Sequence, residues 1–103
     1  MRQARVRARI STERERDLRL RRLYGITLRQ YRKMLKRQKG VCAVCGKPPK
    51  KVSLNVDHDH ETDRVRGLLC FFCNKKIVGR HHNGKLLRAA ADWVDSDFDG
   101  RHI

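Results

Sequence analysis

The stretch LNVDHDHETDRVRGLLCFFCN, Leu54 to Asn74, carries the side chains best suited to chemistry. Asp57, His58, Asp59, His60, Glu61 and Asp63 crowd together just upstream of Cys70-Phe71-Phe72-Cys73. A carboxylate and an amide oxygen such as that of Asn74 can share a hard divalent ion, which favours Mg²⁺ or Mn²⁺ over zinc. A histidine beside that ion can take a proton from water, because imidazole exchanges its proton near neutral pH. In a chain of net charge +15, a local acidic cluster is where a cation belongs.

The cysteines form a second chemical set. Cys42-Ala43-Val44-Cys45 and Cys70-Phe71-Phe72-Cys73 are separated by 24 residues. Each Cys-x-x-Cys lets two thiolates converge on one tetrahedral ion, and four thiolates leave no open position for water, so a structural Zn²⁺ is expected. The gap exceeds the ~15–20 residues of a simple zinc ribbon, so the two pairs close a loop with something inside it.

Inside that loop, Val52-Ser53-Leu54-Asn55-Val56 alternates apolar and polar as a half-buried strand does, and Asp57 to His60 ends it. Glu61-Thr62-Asp63 reads as a turn, Arg64 to Leu69 as the return strand, and a helix is expected to begin near Cys73-Asn74. This order brings the helix back beside the first strand, with Asp57 and His58 facing Asn74. The first cysteine pair lies in a turn, since Gly46-Lys47-Pro48-Pro49 follows it. The expected fold is α+β: a small, treble-clef-like ββα core over residues 41–80, stapled by zinc and flanked by helices.

Upstream, residues 1–40 read as a basic arm and two helices. Thr12 to Glu15 spells a capping box, which predicts a helix over Glu13 to Tyr24 with Gly25 as its left-handed terminator. Thr27 to Gln30 spells another, with Ile26 and Tyr31 placed as a hydrophobic staple. Leu28, Tyr31, Met34 and Leu35 make the buried stripe of that second helix, and Gly40 ends it. Downstream, residues 81–103 read as a loop at His81-His82, a closing helix over Lys85 to Val94 with Trp93 in the core, and an acidic tail at Asp92, Asp95, Asp97 and Asp99. The whole is expected to form one compact domain.

Charge names the partner. Residues 1–40 hold 15 Lys or Arg against 3 Asp or Glu, net +12, and the remaining residues are net +3. Such an excess attracts a polyanion, with DNA the default. Arg2, Arg5, Arg7 and Arg9 of the arm, and Arg29, Arg32, Lys33, Lys36 and Arg37 around the second helix, are the expected phosphate contacts. No apolar run approaches the ~18 residues of a membrane span. The N-terminus lacks the apolar segment of a secretory signal, so the thiols are expected in a reducing compartment and free for metal. A chain of 103 residues buries a thin core and needs a staple.

Asp57-His58-Asp59-His60, Arg66-Gly67-Leu68-Leu69-Cys70 and Cys73-Asn74 within the doubled Cys-x-x-Cys resemble the phage recombination endonuclease VII family, from about Gly40 to Gly79. The resemblance implies an HNH nuclease with a ββα-metal active site pinned by Cys₄ zinc. It implies that His58 is the general base, that Asp57 and Asn74 hold the catalytic Mg²⁺ or Mn²⁺, and that His60 helps bind or protonate the scissile phosphate. The implied activity is that of a DNA endonuclease or nickase leaving 5′-phosphate and 3′-hydroxyl ends, in the cytoplasm of a phage-infected cell. Two positions depart from the family: Asn55 stands where some relatives carry a further histidine, and Ile77 where they carry an acidic residue. Larger relatives add a long C-terminal region for dimerisation and four-way junction binding, so for this chain a monomer is expected. A branched-DNA resolvase is the alternative enzyme. A non-catalytic zinc DNA-binding module is the alternative of another class, and it leaves Asp57, His58 and Asn74 without a purpose.

Overall fold

A computed structural model describes residues 12–102, so Arg2, Arg5, Arg7 and Arg9 lie outside the described residues. Helix α1 spans Glu13–Tyr24. Thr12 accepts from the Glu15 backbone N–H while the Glu15 carboxylate accepts from the Thr12 N–H, and Gly25 closes the helix at φ 72°. Helix α2 spans Leu28–Arg37 behind the same reciprocal cap between Thr27 and Gln30. Leu28 and Tyr31 of α2 are buried, and Met34 and Leu35 pack partly buried against the same core.

The angle between the two helices is held by Asp17. Its Oδ1 accepts from the Leu28 backbone N–H at 2.8 Å and its Oδ2 from Arg21 Nε at 2.7 Å. The Leu28 hydrogen bond, then that of Arg21, holds the Asp17 carboxyl below its ordinary range. A carboxylate at the first turn of α2 also complements the positive end of that helix.

Strand β1, Asn55–His58, pairs antiparallel with β2, Val65–Leu69. Asp57 lies opposite Gly67 and His58 opposite Val65, so Arg66 is the extra residue of a bulge. Bulges re-aim side chains and recur beside active sites. Strand β1 starts at Asn55 rather than Val52 as the alternation predicts. Asn55 already pairs with Leu69, and the chain then leaves the ladder at Cys70, so residues further upstream have no partner and Val52 is 68% exposed. The connecting turn is built by Asp59, which is buried and accepts from the N–H groups of Glu61 at 2.8 Å and Thr62 at 3.3 Å.

Two polar side chains fasten α2 to the hairpin. The buried Tyr31 hydroxyl donates to the Leu54 carbonyl at 2.6 Å. Gln38 accepts from Leu68 N–H and donates to the Leu68 and Val41 carbonyls, each at 2.9 Å, so its amide continues the ladder of β2. Gly67 lets it in: a Cβ there would come within 3.0 Å of Gln38 Oε1. Gln38→Ala takes away the partner of the Leu68 N–H, while the Leu68 carbonyl still accepts from the Ala43 N–H at 3.2 Å, and is expected to lower stability by about 1–3 kcal/mol. Urea unfolding of the variant measures this, and an unchanged midpoint would mean the clamp is idle.

After β2 the chain forms a π-helical segment, Cys73–Val78, then α3, Lys85–Asp95, and a short 3₁₀ turn, Gly100–His102. The helix expected at Cys73-Asn74 is therefore short and wide, with the Gly79 N–H reaching back to the Asn74 carbonyl. The closing role of the last helix is corrected. No residue of α3 is buried, and Trp93 is 78% exposed rather than in the core. The buried cluster is Ile26, Leu28, Tyr31, Cys42, Leu54, Val56, Leu68, Leu69 and Cys73. Among the described residues no helix is long and apolar enough to cross a membrane.

Candidate metal centre and active-site cleft

The doubled Cys-x-x-Cys closes at one point. The ligand atoms of Cys42, Cys45, Cys70 and Cys73 all lie within 4.8 Å of one another, and Cys45 Sγ is 3.9 Å from Cys70 Sγ. A tetrahedral ion with ~2.3 Å bonds to sulfur has edges of about 3.8 Å, so the spacing suits zinc. Burial raises the Cys42 thiol, but hydrogen bonds from the backbone N–H groups of Cys45, Cys70 and Val44 outweigh it and bring it down to about 6. Burial pushes Cys73 up to about 12, reinforced by hydrogen bonds to the other three thiols and the charge of Cys42. The first thiolate therefore forms readily and the last is resisted by its neighbours. A cation at the centre removes that repulsion.

A cleft of about 480 Å³ opens beside this cluster. Asp57 and His58 reach it from the end of β1, His60 from the turn, and Asn74 from the start of the π-helical segment. Tyr24, Phe71, Lys75 and Arg80 complete most of its wall. The His58 ring lies 4.6 Å from that of His60 and 5.6 Å from that of Tyr24, centroid to centroid. Residues separated by up to 17 positions in the hairpin and helix thus share one surface, together with two cations able to attract a phosphate.

The Asp57 carboxylate is buried and oriented by the bulged Arg66. Arg66 Nε donates to Asp57 Oδ2 at 2.9 Å and Nη2 to Oδ1 at 3.3 Å, while Nη1 donates to the His81 carbonyl at 3.4 Å. An ionised carboxylate has about four acceptor positions, so this pairing leaves lone pairs for a further cation. Asp57, an oxygen donor, and Asn74, an amide, suit Mg²⁺ or Mn²⁺ better than zinc.

Sequence reasoning marked Asp57, His58, His60 and Asn74, and all four line the cleft. It grouped Asp59 with them, but the Asp59 carboxylate is turned into its own turn. Arg66 was in view within Arg66-Gly67-Leu68-Leu69-Cys70, but nothing in the motif says that its guanidinium grips Asp57. Tyr24, Lys75 and Arg80 carried no signal of their own. The basic residues of α2, namely Arg29, Arg32, Lys33, Lys36 and Arg37, are exposed and line neither this cleft nor its neighbour. Arg32 is paired with Glu13 at 2.7 Å.

Fold and site together define a small α+β domain stapled by a thiol cluster, with a cation-rimmed cleft that gathers a carboxylate, an amide and two imidazoles. The chain belongs to the recombination endonuclease VII family, whose profile matches residues 17–96. It is 47% identical over 73 residues to the Gene 59 protein of Mycobacterium phage D29, covering 69% of this chain and 44% of that protein. It is 49% identical over 57 residues to the Gene 59 protein of Mycobacterium phage L5, covering 54% of this chain and 35% of that protein. The chain thus spans less than half the length of these curated relatives. No solved structure matches it.

Proposed function

We propose that the protein is a metal-dependent DNA endonuclease of the HNH type, in which His58 takes a proton from the water that attacks the scissile phosphate. The observation that carries this reading is the convergence of Asp57, His58, His60 and Asn74 on one cleft beneath Lys75 and Arg80. Asp57 and Asn74 would hold Mg²⁺ or Mn²⁺, which when bound stabilises the charge that builds up on the phosphate and on the departing 3′-oxygen. Arg66 keeps the Asp57 carboxylate turned. His60, its ring tilted beside that of His58, is placed to hydrogen-bond a phosphate oxygen. Lys75 and Arg80 draw the backbone in. Attack at phosphorus leaves 5′-phosphate and 3′-hydroxyl ends. One such cleft per chain cuts one strand per visit, so the first product is a nick. Cys42, Cys45, Cys70 and Cys73 would hold a structural Zn²⁺ that ties the first turn to the start of the π-helical segment.

Incubation of supercoiled plasmid and of a four-way junction with purified protein tests this. With Mg²⁺ or Mn²⁺ the plasmid is expected to pass to open circles. Asp57→Ala and Asn74→Ala are each expected to raise the ion concentration needed as well as to slow the reaction. Binding of duplex without cleavage under either ion would leave a non-catalytic DNA-binding module. Cleavage confined to the junction would identify a resolvase.

A further inference from the structure

A second cleft, of about 590 Å³, adjoins the first and shares Tyr24, Asn55 and Val56 with it. One wall is a single stripe of α1: Arg16, Arg19, Leu20 and Leu23 stand at i, i+3, i+4 and i+7, and Tyr24 continues it into the first cleft. Lys51 lies on the opposite wall, in the segment leading to β1. The lining contains three cations and no carboxylate. The reason is visible in α1, where all three acids are engaged elsewhere. Glu13 pairs with Arg32, Glu15 caps Thr12, and Asp17 accepts from Leu28 and Arg21. The side chains of the groove-side cations Arg16, Arg19 and Lys51 make no hydrogen bond or ion pair among the described residues.

We propose that this groove is the track along which the DNA backbone leaves the cleft that holds His58, with Arg16, Arg19 and Lys51 as its phosphate contacts. The inference rests on the nuclease reading for the identity of the polyanion. It reassigns the contacts nearest the chemistry from the exposed faces of α2 to one face of α1 and the segment before β1. Leu20, Leu23 and Tyr24 give the track an apolar floor against which deoxyribose can lie, while the cations on the two walls meet phosphates.

Counterion release makes the claim countable. Each phosphate contact steepens the fall of log affinity against log salt by about 0.9. In a His58→Ala background, anisotropy of a short fluorescein-labelled duplex is followed across a KCl series. Arg19→Gln/Lys51→Gln changes two exposed residues, and is expected to make the slope shallower by about 2. Adding Arg16→Gln is expected to remove about one more contact. Arg14→Gln/Arg22→Gln removes the same charge from the same region of the chain but off the groove, and is expected to leave the slope within experimental error. Equal changes from the two doubles would show that only overall charge matters and would overturn the track. Zinc content and circular dichroism of each variant confirm that the fold is intact. The two readings fail separately. A plasmid that is cut normally while Arg19→Gln/Lys51→Gln binds with the parent slope sinks the track alone. A plasmid left intact while that variant loses slope sinks the nuclease alone.

Discussion

His58→Ala is expected to slow plasmid nicking by about 10²–10⁴-fold, the usual contribution of a general base, while duplex affinity and fold persist. The separation follows from where the ring sits. His58 is the last residue of β1, is only half-buried, and lies tilted beside the rings of His60 and Tyr24 at the cleft wall rather than in the core. Its loss therefore opens no cavity among Leu54, Val56 and Leu68, which hold the hairpin in place. Nor does it alter Lys75, Arg80 or the cations of α1, to which backbone attraction is assigned in the proposal above. Single-turnover cleavage at saturating DNA reads the chemical step, and anisotropy at the same salt reads binding. His58→Ala activity within a few-fold of the parent would remove His58 from the reaction and move attention to His60, the other imidazole on the cleft.

Loss of the cysteine-bound ion is expected to abolish cooperative unfolding altogether. Cys42 and Cys73 belong to the nine-residue buried cluster, so an ion held by them would be part of the core rather than an ornament on it. Structural zinc supplies ~10 kcal/mol or more, which is comparable with the whole ~5–15 kcal/mol stability of an ordinary domain. Without it, the burial and neighbouring thiols that push Cys73 up to about 12 are unrelieved, and the Cys42 turn is held to the π-helical segment bearing Asn74 only by packing in a thin core. Strong chelation and Cys70→Ala are both expected to turn a sigmoidal thermal melt, followed by circular dichroism, into a shallow drift. Elemental analysis should give one zinc per untreated chain. A chelated, metal-free protein that melts like the native one would show that the thiols need no ion.

What the sequence determined by itself is what depends on neighbours within a turn or so along the chain. Thr12 finds Glu15 and Thr27 finds Gln30 three residues on, so the starts of α1 and α2 are written locally. A Cys-x-x-Cys places two sulfurs on one side of a turn wherever it occurs, so the four-cysteine cluster was legible from spacing. The hairpin order around Asp57, His58 and Asn74 was legible because alternation, a turn and a return strand leave few ways to fold. Only the tertiary structure decided the rest, because those interactions join residues whose separation along the chain carries no pattern. Gln38 completes the ladder of β2 from 30 residues away. Asp17 reaches the N–H of Leu28 across 11. Arg66 grips Asp57 because a bulge, invisible to periodicity, inserts it opposite β1. Trp93 is large and apolar, yet no residue of α3 is buried and its ring stays in water. The charge of the first 40 residues announced a polyanion, but charge counts have no direction. Only the fold shows which cations line the groove beside the His58 cleft: Arg16 and Arg19 do, while Glu13, Glu15 and Asp17 are engaged elsewhere.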